Sequence, residues 1–152
     1  MISPNACTGS IRNGILLAVD MGGRAALRQP KVLIVEDESS LLELYRLALQ
    51  RAGFAVDTAA DGAAGLQQIA KTRPDLVLLD ILMPQVDGYQ LLRRLKRDVA
   101  TRDVPVVIFS NLSQKEEIEK GLKLGARDFI IKTSITPPEL VAKVQGWVGE
   151  EA

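Results

Sequence analysis

Residues 75–88 read Asp75-Leu-Val-Leu-Leu-Asp80-Ile-Leu-Met-Pro84-Gln-Val-Asp-Gly88. The apolar run before Asp80 is short enough to be one buried strand. It ends in a single carboxylate, after which Pro84 and Gly88 force the chain to turn. In open α/β sheets, ligands bind outside the carboxyl ends of the strands. Three more tips of this kind occur: Glu36-Asp37 after Val32-Leu-Ile-Val35, Ser110 after Val106-Val-Ile-Phe109, and Lys132 after Phe129-Ile-Ile131. If the strands run parallel, an acidic pair, a lone Asp, a hydroxyl and a Lys converge on one site.

The segments around these tips support that arrangement. From Lys31 onward, short apolar runs alternate with amphipathic stretches of helical length, the rhythm of βαβ units and a parallel sheet. The pattern predicts strands at 31–35, 55–58, 76–79, 104–109 and 128–131, and helices at 40–52, 61–72, 87–97, 114–124 and 137–148. Ser40/Glu43, Ser113/Glu116 and Thr136/Glu139 each have capping-box spacing, the last with Pro137 at the first helical position. Gly53 and Gly125 stand where a helix end calls for a left-handed residue. The stripes Leu41, Leu44, Tyr45, Leu49 and Leu140, Val141, Val144, Val148 are read as core.

Composition narrows the function classes. The 152 residues suit one domain, and Lys+Arg and Asp+Glu are equal at 19 each, without a basic run to mark a nucleic-acid surface. With no histidine, the chain cannot be a phosphohistidine donor or hold a Ser-His-Asp triad. One cysteine, Cys7, excludes an internal disulfide and suits a reducing cytosol. No apolar stretch is long enough to cross a bilayer. Ile15-Leu-Leu-Ala-Val19 is too short for a signal core and is followed by Asp20. Residues 1–29 are therefore expected to be a disordered leader without a packed role, with Met21 as an alternative start. Residues 30–149 are expected to form the domain and 150–152 a tail, with no output domain attached.

The tip residues, in this order, resemble the receiver domain of two-component response regulators, of the stand-alone chemotaxis type. The resemblance spans about Lys31 to Val148 and includes Pro84, Gly88 and Gly125-Ala126. It implies a flavodoxin-like, doubly wound, five-stranded parallel sheet of order 2-1-3-4-5 with five helices, which sets Glu36 and Asp37 opposite Asp80. Three carboxylates so close repel one another unless a cation intervenes, and Mg²⁺, a hard ion that takes oxygen ligands, resolves the conflict. The resemblance assigns Mg²⁺ to Glu36, Asp37, Asp80 and the backbone carbonyl of Leu82. It makes Asp80 the phosphoacceptor, with Ser110 and Lys132 on the phosphoryl oxygens, and Ser110 and Phe129 the switch pair.

The sequence departs from the family pattern in places. Thr133 follows Lys132 where a cis proline is usual, so this loop is either trans or strained. Asn111 stands beside Ser110 where a small residue is usual, and Leu82 and Leu112 occupy the places flanking the attacking water. The expected function is a single-domain response regulator in the cytoplasm. It takes a phosphoryl group from a sensor histidine kinase or phosphotransfer protein and turns over no substrate. It then binds a downstream protein, or a second copy of itself, through its fourth helix, fifth strand and fifth helix, where Lys115, Glu119, Lys123 and Lys143 are expected to be exposed. No contact with nucleic acid or membrane is expected. The alternatives are a phosphorylation-independent scaffold and a fragment of a DNA-binding regulator or hybrid kinase. A haloacid-dehalogenase-type phosphatase needs a second Asp where Leu82 stands.

Overall fold

The computed structural model describes residues 10–12, 15–19, 25–82 and 87–151. Ahead of residue 30 the chain pairs as an antiparallel meander of β1 (Ser10–Arg12), β2 (Ile15–Val19) and β3 (Ala25–Arg28). The described part of the expected leader is thus paired strand, with the apolar run 15–19 at its centre, and not chain without regular structure. Cys7, Asp20 and Met21 lie outside the described residues.

Beyond the meander, β4 (Lys31–Val35), β5 (Ala55–Ala59), β6 (Leu76–Leu79), β7 (Val106–Ser110) and β8 (Asp128–Ile131) form one parallel sheet of order β5-β4-β6-β7-β8. Counted within the domain this is 2-1-3-4-5, the flavodoxin-like order. The crossovers are α1 (Ser39–Arg51), α2 (Gly62–Thr72), α3 (Gly88–Arg97), α4 (Lys115–Lys123) and α5 (Pro137–Glu151). Among the described residues, no helix is long and apolar enough to cross a membrane.

The sheet is covered on both faces, which explains why its strands read as unbroken apolar runs. Leu33, Val35, Val77, Leu79, Val106 and Ile108 share one core with Ile69, Leu92 and Leu95 of α2 and α3. Their alternating neighbours Val32, Ile34, Leu76, Leu78, Val107 and Phe109 share the other with Tyr45, Leu49, Leu140 and Val144 of α1 and α5. Leu44 departs from the predicted stripe: it is 48% exposed, at the outer edge of α1.

The helix ends follow their caps. Thr136 and Glu139 form the predicted box: the Thr136 amide donates to Glu139 Oε1 (2.8 Å) and the Glu139 amide to Thr136 Oγ1 (3.3 Å). The other two boxes do not form. Glu38 caps α1 instead, accepting from the Ser40 amide (3.0 Å) and the Ser40 hydroxyl, and α4 starts after Gln114 without a side-chain cap. Gly53 and Gly125 take the expected positive φ, 102° and 112°. Gly88 is required by crowding: a Cβ there would stand 2.6 Å from the Asp80 carbonyl oxygen and 2.6 Å from Ile81 Cα, so α3 begins directly against the Asp80 loop. Pro84 lies outside the described residues.

Candidate functional site

The strand order sets the tips of β4 and β6 side by side. The Asp80 amide donates to the Val35 carbonyl (3.0 Å) and the Glu36 amide to the Ala59 carbonyl (3.0 Å), so each tip is stitched to its neighbour. Carboxylate oxygens of Glu36, Asp37 and Asp80 lie within 4.8 Å of one another. Glu36 and Asp80 are buried, whereas Asp37 is exposed and opens the cluster to solvent.

Lys132 reaches this cluster from the far side of the sheet. Its Nζ donates to Asp80 Oδ2 (3.0 Å) and makes a close charge-assisted bond to Glu36 Oε1. The remaining oxygens are also engaged: Glu36 Oε2 accepts the Glu38 amide (3.1 Å) and Asp80 Oδ1 the Leu82 amide (3.1 Å). The described peptide bonds are all trans, Lys132–Thr133 included, and residues 132–134 form a tight 3-10 turn that carries the ammonium inward.

Burial and charge act against each other here. Burial pushes the Glu36 carboxyl above the ordinary carboxylate range; the Lys132 bond pulls it back and the Asp80 charge pushes it up again, leaving it raised. Burial alone would push the Lys132 ammonium down. Its bonds to Glu36 and Asp80, and their charges, outweigh burial and hold it above its usual value. The donor set is oxygen-rich, partly open to water and short of positive charge, which fits a hard divalent cation.

The other predicted residues sit around this centre. Ser110 closes β7, fully buried, and its hydroxyl accepts the Leu112 amide (3.4 Å) within its own loop. Leu82 is 54% exposed, and Leu112 is partly buried against the core. Phe129 lies in β8 apart from the acids, buried on the α4 side of the sheet. Gly121 of α4 approaches it so closely that a Cβ would stand 3.3 Å from the ring and 2.4 Å from Ile108 Cδ1. Lys115, Glu119, Lys123 and Lys143 are exposed, as expected. Sequence reasoning missed Glu38, whose amide steadies Glu36, and Tyr89, whose hydroxyl bonds Glu117 twenty-eight residues on. The Glu38 cap was masked by the better-looking Ser40, and the Tyr89 contact has no local signal.

Known proteins match this arrangement. The family model described as "Response regulator receiver domain" matches residues 32–145. Among curated proteins, the chain is 37% identical over 115 residues to the phosphate regulon transcriptional regulatory protein PhoB of Escherichia coli, covering 76% of this chain and 50% of that protein. It is 34% identical over 116 residues to the DNA-binding dual master transcriptional regulator RpaA of Synechocystis, covering 76% of this chain and 48% of that one. The chain thus spans about half the length of the curated relatives it matches. Among solved structures, the receiver domain of the Francisella response regulator 1452 superposes with a TM-score of 0.75 at 28% identity, covering 82% of this chain and 100% of that one. The Vibrio cholerae chemotaxis protein CheY4 superposes with a TM-score of 0.73 at 28% identity, covering 78% and 98%.

The raised Glu36 sets a pH dependence. A carboxyl whose folded value lies above its unfolded one adds stability at low pH, and that contribution is lost as pH rises through the folded value. In chelator-treated protein, wild type is expected to gain stability relative to Glu36→Gln as pH falls from neutral toward the ordinary carboxylate range. Glu36→Gln should be the more stable at neutral pH and lose that advantage on acidification, as read from urea midpoints.

Proposed function

The chain belongs to the response regulator receiver family, and we propose that it works as a phosphorylation-dependent switch with Asp80 as the phosphoacceptor. The observation that carries this reading is Lys132 seated 3.0 Å from Asp80 beside two further carboxylates at the switch point of the sheet. The donor is the phosphohistidine of a sensor kinase or phosphotransfer protein. An Asp80 carboxylate oxygen attacks phosphorus, the phosphorus–nitrogen bond breaks, and the imidazole leaves with the bonding pair and takes up a proton. Lys132 stays beside Asp80 to bind a phosphoryl oxygen, and Ser110 turns its hydroxyl from the Leu112 amide toward another.

Glu36, Asp37, Asp80 and the Leu82 carbonyl are the proposed Mg²⁺ ligands. The ion supplies charge neutralisation for the incoming phosphoryl group. The new charge at Asp80 draws the Ser110 loop inward and remodels the face of α4, β8 and α5 around Phe129. On this reading the chain acts in the cytoplasm through a partner protein on that face and turns over no substrate. A second reading has the names and lengths of the relatives in its favour. PhoB and RpaA are transcriptional regulators about twice as long as the matched region, so the same switch would control a DNA-binding part of a longer protein.

Intact mass after incubation with acetyl phosphate and Mg²⁺ tests the acceptor. Wild type should gain one phosphoryl group, the gain should be absent in the presence of a chelator, and Asp80→Asn should gain none. Equal labelling of Asp80→Asn would remove the assignment.

The persistence of the phosphorylated form follows from the neighbours. Hydrolysis needs a water held in line with the Asp80 oxygen–phosphorus bond, and positioning supplies most of the catalysis. The flanking side chains Leu82 and Leu112 shield that approach and offer no hydrogen bond to hold a water. Phosphate release after donor removal should therefore be slow in wild type and several-fold faster in Leu82→Asn/Leu112→Glu. An unchanged rate in the double variant would mean that the leucines only pack the loop.

A further inference from the structure

Helix α4 is weakly held to the domain. Of its nine residues only Gly121 is buried; Leu122 is 44% exposed, and the helix start has no side-chain cap. Besides Ile118, which packs against the core, one polar side chain ties its first turn down. Tyr89, at the start of α3 and only 3% exposed, shares its one hydroxyl proton between the Glu117 carbonyl (2.8 Å) and Glu117 Oε1 (2.9 Å). Lys120, one helical step further on, sets its Nζ over the same ring, 4.3 Å from the centroid. Tyr89 is itself immobilised: its amide donates to Asp87 Oδ1 (2.8 Å), and Gly88 packs against the Asp80 carbonyl. Burial first, and then the Glu117 bond, hold the phenol well above its ordinary range, so it remains a donor at working pH.

The surroundings leave α4 somewhere to go. A groove of about 470 Å³, lined among others by Leu82, Tyr89, Leu112, Gln114 and Glu117, separates the Asp80 loop from the first turn of α4. The loop leading into that turn, residues 111–114, continues directly from Ser110 at the end of β7. Any shift of Ser110 toward Asp80 therefore pulls the chain that enters α4.

We propose that Tyr89 is a latch that holds the first turn of α4 on α3 in the unphosphorylated protein and so sets the balance between resting and activated states. It rests on the phosphorylation-switch reading and names the contact that opposes it. Movement of the Ser110 loop stretches the shared hydroxyl bond to Glu117, and the cost of breaking it is charged against phosphoryl binding. By linkage, removing the latch strengthens binding of a phosphoryl analogue at Asp80, although Tyr89 touches neither ligand nor acceptor.

The test uses the full chain and trifluoroberyllate with Mg²⁺, titrated against wild type and variants by NMR. Tyr89→Phe keeps the ring and loses the shared hydroxyl bond; it should bind trifluoroberyllate about three- to tenfold more tightly, with Mg²⁺ affinity alone unchanged. Glu117→Gln keeps an acceptor oxygen and should stay near wild type. Lys120→Met, on the exposed side, should shift affinity in the same direction as Tyr89→Phe but by less. Unchanged affinity in Tyr89→Phe with reduced stability would show plain packing and overturn the latch. Weaker affinity would place the contact in the activated state and overturn it equally. Wild type that fails to bind trifluoroberyllate would bring down the phosphorylation reading itself, and the latch with it.

Discussion

The contact on which the rest depends is Lys132 held between Glu36 and Asp80 in the buried edge of the sheet. Two carboxylates removed from water at this spacing repel each other, and a charge left buried without a partner is costly. The ammonium supplies one positive charge; the exposed Asp37 adds another negative one. The site is thus short of positive charge, and Glu36 is raised first by its burial and then by the Asp80 charge beside it. An oxygen-rich centre of this charge fits a hard divalent cation.

The fold serves that contact. The order β5-β4-β6-β7-β8 makes β4 and β6 neighbours and brings Lys132 in from the opposite edge on a trans 3-10 turn. Gly88 lets α3 start against the Asp80 loop with no side chain between them. The Asp80 loop therefore abuts the start of α3 directly, whereas α4 follows Ser110 through residues 111–114.

Much of this was legible in the sequence because burial on both faces leaves a simple trace. The runs at 31–35, 76–79 and 128–131 coincide with β4, β6 and β8, and Glu36, Asp80, Ser110 and Lys132 stand at their tips or at that of β7. Helix starts were less legible where several residues competed to cap. Thr136 caps its helix as predicted because Pro137 fixes the first turn, whereas Glu38 caps α1 from two residues earlier by accepting the Ser40 amide itself. Leu44 matched the helical stripe yet faces outward, since the period marks a face but not how far the neighbouring helix covers it. The pairing of residues 15–19 with their neighbours and the Tyr89–Glu117 bond depend on contacts that periodicity does not encode.

On the proposed reading, the acyl phosphate forms on Asp80 and on neither of the acids beside it. Borohydride reduction of the phosphorylated chain converts an aspartyl phosphate to homoserine, and peptide mapping then locates the converted residue. Homoserine is expected at position 80 alone, dependent on Mg²⁺. Conversion at position 37, or reduction of Glu36 with Asp80 intact, would contradict that reading.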